Sequence, residues 1–129
     1  MTVFVDTSAM YALIDADDSN HSRVLAGGRK LDDAELVTHS FVMSEVVALT
    51  RRRLGSAGVL RLIDDVLARV DIVDVDAGLR TKALAVYREN ASSRISFVDR
   101  TSFEFMRRRG ITRAWAVDAD FENEGFELV

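Results

Sequence analysis

Thr2-Val3-Phe4-Val5 is a short β-favouring run that breaks abruptly into Asp6-Thr7-Ser8, a polar triplet of the kind that starts a helix. Strand passes directly to helix. The same alternation continues down the chain. A helix is expected from Ala9 to about Asp15, and Asp17-Asp18-Ser19-Asn20 opens a second that Gly27-Gly28 closes. Glu35-Leu36-Val37-Thr38 is the next strand. Ser40 is placed to cap a helix through Leu54, with Met43, Val46, Val47, Thr50 and Leu54 on one face and Gly55 as its stop.

Val59, Leu62, Ile63, Val66 and Val70 repeat the helical spacing, and residues 71–76 then alternate polar and apolar as a strand does. Leu79, Ala83, Val86 and Tyr87 mark another helix. The last helix runs from Ser96 to Arg109 and ends at Gly110. Residues 113–118 form a final strong strand, and Phe126 to Val129 add an edge strand. With no hairpin dipeptide between strands, pairing is expected to be parallel through helical crossovers. The fold class is therefore α/β: a three-layer α/β/α sandwich on a mostly parallel sheet. The sequence has no repeat, low-complexity tract, proline or linker, so residues 1–129 read as a single domain.

Of the 129 residues, 48% are hydrophobic and 29% charged, a balance that supports a packed core and excludes disordered and fibrous classes. Cysteine is absent, so any metal must take oxygen or imidazole ligands. The N-terminus lacks the basic flank and apolar run of a secretory signal, and no stretch is long enough to span a membrane. A cytoplasmic location and no membrane partner are expected. The net charge of −4 argues against nucleic-acid binding by net charge alone. It still allows a nuclease whose carboxylates are neutralised by divalent cations.

Ligands of open parallel sheets collect beyond the carboxyl ends of the strands. Asp6 ends the first strand, Asp118 ends the strand through Trp115 and Val117, and Asp99 lies in the first turn of a helix that can face the same end. Glu45 follows the second strand. Each acid also has a plain structural account. Asp99 forms an approximate capping box with Ser96, and the helix dipole favours its charge by ~0.3–1 kcal/mol. Asp6 can equally be a turn and capping residue. Glu45 resists such an account, because it lies in the apolar run Phe41 to Leu49 with no basic residue at i±3 or i±4. Asp118 and Asp120 extend the pattern. Hard carboxylate oxygens suit Mg²⁺ or Mn²⁺, which can activate water for phosphodiester hydrolysis. His21 and His39 have no serine motif beside them, and there is no glycine-rich phosphate loop.

Val5-Asp6-Thr7-Ser8-Ala9, Ser44-Glu45-Val46, Ser96-Phe97-Val98-Asp99 and Asp118-Ala119-Asp120-Phe121 together resemble the PIN-domain ribonucleases, and among them the VapC toxins of bacterial toxin–antitoxin pairs. The resemblance spans the chain. It implies a Rossmann-like PIN fold that binds Mg²⁺ or Mn²⁺ and cleaves single-stranded regions of structured RNA. Asp6 and Asp99 would be the principal metal ligands, with Glu45 and Asp118 completing the pocket and Asp120 as a further candidate. Thr7 or Ser8 would orient Asp6. Ala116 departs from the family, where threonine or serine usually stands. The resemblance further implies a homodimer and a small cognate antitoxin.

Arg51-Arg52-Arg53 and Arg107-Arg108-Arg109 suit RNA phosphates or an acidic antitoxin segment. They equally suit the last turn of a helix, where cations favour the dipole. Asp15, Asp17, Asp18 and His21 read as a solvated helix start rather than a second metal cluster, and Trp115 as core. Two other classes stay open. A receiver-like signalling module would gather acids at the same end of the sheet, but neither Lys30 nor Lys82 ends a predicted strand. A degenerate nuclease fold kept for protein contacts is the other, against which four intact acids stand.

Overall fold

The computed structural model describes residues 1–129. Five parallel strands form one sheet: β1 (Thr2–Val5), β2 (Glu35–His39), β3 (Asp71–Val73), β4 (Arg113–Trp115) and β5 (Glu127–Leu128), in the order β3-β2-β1-β4-β5. The helices are α1 (Thr7–Ile14), α2 (His21–Gly28), α3 (Ser40–Arg61), α4 (Ala77–Glu89), α5 (Phe97–Arg109) and α6 (Asp120–Asn123). Strand order runs outward from β1 to β3 and then reverses across it to β4 and β5. Right-handed crossovers therefore put α1, α2 and α3 on one face and α4, α5 and α6 on the other.

β1 lies at the centre, paired with β2 and β4, and its side chains alternate between the two layers. Phe4 is fully buried against His39, Phe105 and Phe121, with ring centroids 5.8, 5.8 and 6.0 Å away. Val3 and Val5 face α1 and α2, where Trp115 is 7% exposed and donates its indole N–H to the Val24 carbonyl at 3.2 Å. Trp115 is thus core, as expected.

One expected cap moves: Ser40 is the first residue of α3, its hydroxyl accepts from the Val75 N–H at 3.0 Å, and His39 caps the helix by accepting from the Val42 N–H. Other caps follow the sequence. Asp6 caps α1, Ser96 caps α5 by accepting from the Asp99 N–H at 3.1 Å, and Gly110 closes α5 at φ 67°. Gly27 and Gly28 end α2 for a different reason. Arg29 beyond them is right-handed, and a Cβ on Gly28 would lie 2.8 Å from Cζ2 of Trp115. Glycine is needed there for ring space.

Gly55, at φ 71° and ψ −166°, ends the first helical run of α3 as expected, and a second run follows across the kink to Arg61. Other expectations are corrected. The apolar spacing from Val59 to Val70 does not form one regular helix. It continues as a π turn (Leu62–Val66) and a 3-10 turn (Leu67–Arg69), and the altered pitch leaves Ile63 44% exposed while Leu62 and Val66 are buried. The strands expected over 71–76 and 113–118 stop at Val73 and Trp115, and the short helix α6 forms where no helix is expected.

Helix propensity alone favours alanine over glycine by ~1 kcal/mol. Gly28→Ala is nevertheless expected to lower stability by ~1 kcal/mol or more, because the added methyl must displace the Trp115 ring. Denaturant unfolding followed by tryptophan fluorescence checks the sign.

Candidate active site

β1 delivers Asp6 to the carboxyl end of the sheet, and the turn into α1 holds it there. Its Oδ2 accepts from the Ser8 N–H at 3.2 Å and the Ser8 hydroxyl at 2.7 Å. The same Ser8 oxygen accepts from the Val117 N–H at 3.0 Å, so one side chain ties the Asp6 turn to the end of β4. Asp6 is 5% exposed, and its Oδ1 is buried with no hydrogen-bond partner.

Glu45 projects from α3 toward the same point and accepts from the Thr7 hydroxyl at 2.6 Å. Its apolar setting did require a partner, and that partner is a neutral hydroxyl. The roles of the two hydroxyls therefore separate: Ser8 orients Asp6, and Thr7 orients Glu45. Asp99 enters on the first turn of α5, and Asp118 follows β4. All four acids line one cleft of about 330 Å³, together with Tyr11, Arg53 and Ser96. A larger groove of about 620 Å³ between α1, α2 and the π turn is mainly apolar and holds none of them.

Carboxylate oxygens of Asp99, Asp118 and Asp120 lie within 4.8 Å of one another. Asp120 is already engaged. Arg94 grips it with both terminal nitrogens, at 3.0 and 2.6 Å, while the Asp120 N–H donates to Asp118 Oδ1 at 2.9 Å. Asp118 is half-buried and turned to the cleft, whereas Asp120 is buried behind it.

Crowding of like charge shows in the acidities. Burial pushes Asp6 up to about 6, with Glu45 adding to the shift and the Ser8 hydrogen bonds opposing it. Burial and then the charges of Asp6, Asp118, Glu45 and Asp120 push Asp99 up to about 7. His39 goes the other way: burial holds its imidazole down at about 4. It is neutral at ordinary pH. Its Nδ1 accepts from the Val42 N–H at 3.3 Å, so Nε2 carries the proton and donates to Ser102 at 2.8 Å. Ser102 donates onward to the Val98 carbonyl at 3.0 Å. This chain joins the start of α3, which carries Glu45, to the start of α5, which carries Asp99.

The sequence-model of the PIN domain matches residues 3–126. The chain belongs to the PIN-domain family. It is 35% identical over 132 residues to the 23S rRNA-specific endonuclease VapC20 of Mycobacterium tuberculosis, covering 96% of this chain and 95% of that protein. The crystal structure of that VapC20, a Sarcin-Ricin loop cleaving toxin, superposes with a TM-score of 0.87 at 32% identity, covering 96% and 95% of the two chains. VapBC2 from Rickettsia felis, bound to a DNA fragment from its promoter, superposes at 0.72 with 15% identity over 100% and 98%, a likeness of fold. No helix of this PIN domain is long and apolar enough to cross a membrane.

The secondary candidates resolve locally. Asp15 accepts from the Tyr11 hydroxyl at 2.6 Å and the Asp17 N–H at 3.0 Å, Asp18 accepts from the Asn20 N–H at 2.8 Å, and His21 bonds the Ala12 carbonyl at 2.6 Å. These groups shape the α1–α2 turn. Lys30 and Lys82 are exposed and outside the cleft, so the receiver-like arrangement is not formed. Arg94, Tyr11 and His39 are the residues of this region that the sequence did not single out. Arg94 lies 26 positions from Asp120, and no local pattern links them.

Because the folded pKa of Asp99 is raised, its protonated form stabilises the fold at low pH, and that contribution is lost as pH rises from about 4 through about 7. Asp99→Asn is expected to raise the metal-free melting temperature at pH 8 and to leave it nearly unchanged at pH 4. Thermal unfolding in EDTA across that range tests the sign.

Proposed function

We propose that this PIN domain is a metal-dependent endoribonuclease that hydrolyses RNA phosphodiester bonds, acting as the toxin of a toxin–antitoxin pair. The observation that carries the metal reading is the buried, unpartnered Oδ1 of Asp6 in the cleft it shares with Asp99, whose carboxyl is pushed up to about 7 by burial and then by the surrounding acids. An unmatched acceptor next to repelling carboxylates fits a divalent cation with hard oxygen ligands.

Asp6 and Asp99 are the residues assigned to hold the ion, Mg²⁺ or Mn²⁺. When bound, such an ion lowers the pKa of a coordinated water and stabilises charge on the phosphate oxygens. The chain's own groups then have distinct tasks. Ser8 fixes the angle of the Asp6 carboxylate. Thr7 occupies one oxygen of Glu45 and leaves the other free to accept a hydrogen bond from water in the cleft. Asp118 holds a carboxylate oxygen within 4.8 Å of one of Asp99, while Asp120 serves to anchor Arg94 rather than to bind metal. The cytoplasm, a homodimer and a small antitoxin encoded beside the gene complete the reading, on the strength of the family resemblance.

Purified protein with Mn²⁺ or Mg²⁺ is expected to cut RNA, and EDTA to stop it. Asp6→Asn and Asp99→Asn should each lower cleavage by more than roughly 100-fold, beyond the 10–100-fold typical of groups that only orient a ligand. Undiminished cleavage by both variants would remove the site assignment.

A further inference from the structure

The two arginine triplets have different fates. At the far end of α5, roughly 12 Å of helix rise from Asp99, Arg107 pairs with Glu104 and Glu124, Arg108 pairs with Asp76, and Arg109 lies over the Phe105 ring. These cations are spent within the fold.

One guanidinium in the cleft and one beside it are held differently. Arg53, on α3, is the one basic residue among those lining the cleft, and its Cζ stands 5.2 Å from the centroid of Tyr11. The ring is itself anchored through its hydroxyl to Asp15. Arg53 also interacts with the Tyr11 hydroxyl and the Asp15 charge, and its five N–H donors exceed what that one hydroxyl can accept. Arg94 approaches from the α5–α6 side. Its bidentate grip on Asp120 uses one N–H from each terminal nitrogen, yet its side chain stays 75% exposed while that of Asp120 is 4% exposed. Arg94 is therefore one carboxylate removed from Asp99 and Asp118, since oxygens of all three acids lie within 4.8 Å of one another, and its remaining donors are exposed.

Both guanidiniums are thus oriented in advance, Arg53 by the Tyr11 ring within the cleft and Arg94 by Asp120 next to Asp99 and Asp118. A polyanion has few other footholds here. The chain carries a net charge of −4, and a divalent ion in the cleft neutralises the phosphate under attack but not its neighbours. Arginine forks match phosphate oxygens bidentately, and holding them beforehand reduces the entropy lost on binding. Resting on the ribonuclease reading above, we propose that Arg53 and Arg94 form a two-point clamp that grips the backbone phosphates flanking the scissile one in single-stranded RNA. An acidic peptide fits the same cations less well, since its carboxylates would cross a floor already lined by Asp6, Glu45, Asp99 and Asp118.

The test is fluorescence anisotropy of a labelled single-stranded RNA oligonucleotide in a salt series with Mn²⁺, using full-length Asp99→Asn protein so that the strand is not cut. Arg53→Gln and Arg94→Gln are each expected to weaken binding several-fold and to reduce the slope of log K against log salt by about 0.7, and the pair by about 1.4. Arg108→Gln should leave the slope unchanged, and Arg94→Lys should retain most of it, which keeps the test valid if Arg94→Gln unfolds. In otherwise unaltered protein the same changes should raise KM for RNA cleavage more than they lower kcat. Unchanged slopes in Arg53→Gln and Arg94→Gln, with the parent cleaving RNA normally, overturn the clamp alone. A parent that neither binds nor cuts RNA overturns the clamp and the ribonuclease reading together. Loss of binding to a poly-glutamate peptide with RNA binding intact overturns it in favour of a protein partner.

Discussion

The Asp6 carboxylate, buried at the end of the central strand with one oxygen paired and one oxygen bare, is the constraint around which the other parts are placed. Its paired oxygen starts α1. Through Ser8 the same turn is fastened to the chain leaving β4, so the strand that supplies Asp6 and the strand that leads to Asp118 cannot drift apart. A bare buried carboxylate oxygen is costly. The fold sustains it because the body of β1 is packed on both faces: Phe4 among His39, Phe105 and Phe121 on one side, Val3 and Val5 on the other. Stability comes from that core, and the end of the sheet is left electrostatically unbalanced.

The imbalance makes protons and cations competitors. Without a cation, Asp6 and Asp99 hold protons to pH values near 6 and 7, chiefly because burial disfavours their charged forms and then because neighbouring acids repel them. His39 imposes an opposite dependence. Its folded pKa is about 4 against an ordinary 6.5, so its neutral bridge to Ser102 supports the fold above 6.5 and that support is lost as pH falls through 4. The α3–α5 brace and the acidic pocket it supports thus have different pH limits. Near neutrality the brace is intact while Asp99 is still poised between its protonated and ionised forms.

Much of this was legible in the sequence, for identifiable reasons. Asp6 and Asp99 could be placed because each sits at a strand-to-helix or helix-start signal whose geometry is local: Asp6 after a β run, Asp99 three residues after its Ser96 cap. Glu45 could be flagged because a carboxylate in an apolar helical run needs a partner, although only the fold shows that Thr7 supplies it. What stayed hidden was set by long-range packing. The Gly28 requirement comes from a tryptophan 87 positions away and the withdrawal of Asp120 from an arginine 26 positions away. The even reading of the two arginine triplets had the same origin. Their helical positions are alike, and only the acids packed around α5 distinguish them.

The account stands on a divalent cation displacing protons from Asp6 and Asp99, and calorimetric titration of Mn²⁺ into metal-free protein in buffers of different ionisation enthalpy measures that directly. Between pH 6 and 7 binding should release protons, with the number falling as pH rises to 8, and Asp99→Asn should remove most of the release along with most of the affinity. Binding with no proton release at any pH, or with affinity and release unaltered in Asp99→Asn, would contradict the assignment of the ion to these two carboxylates.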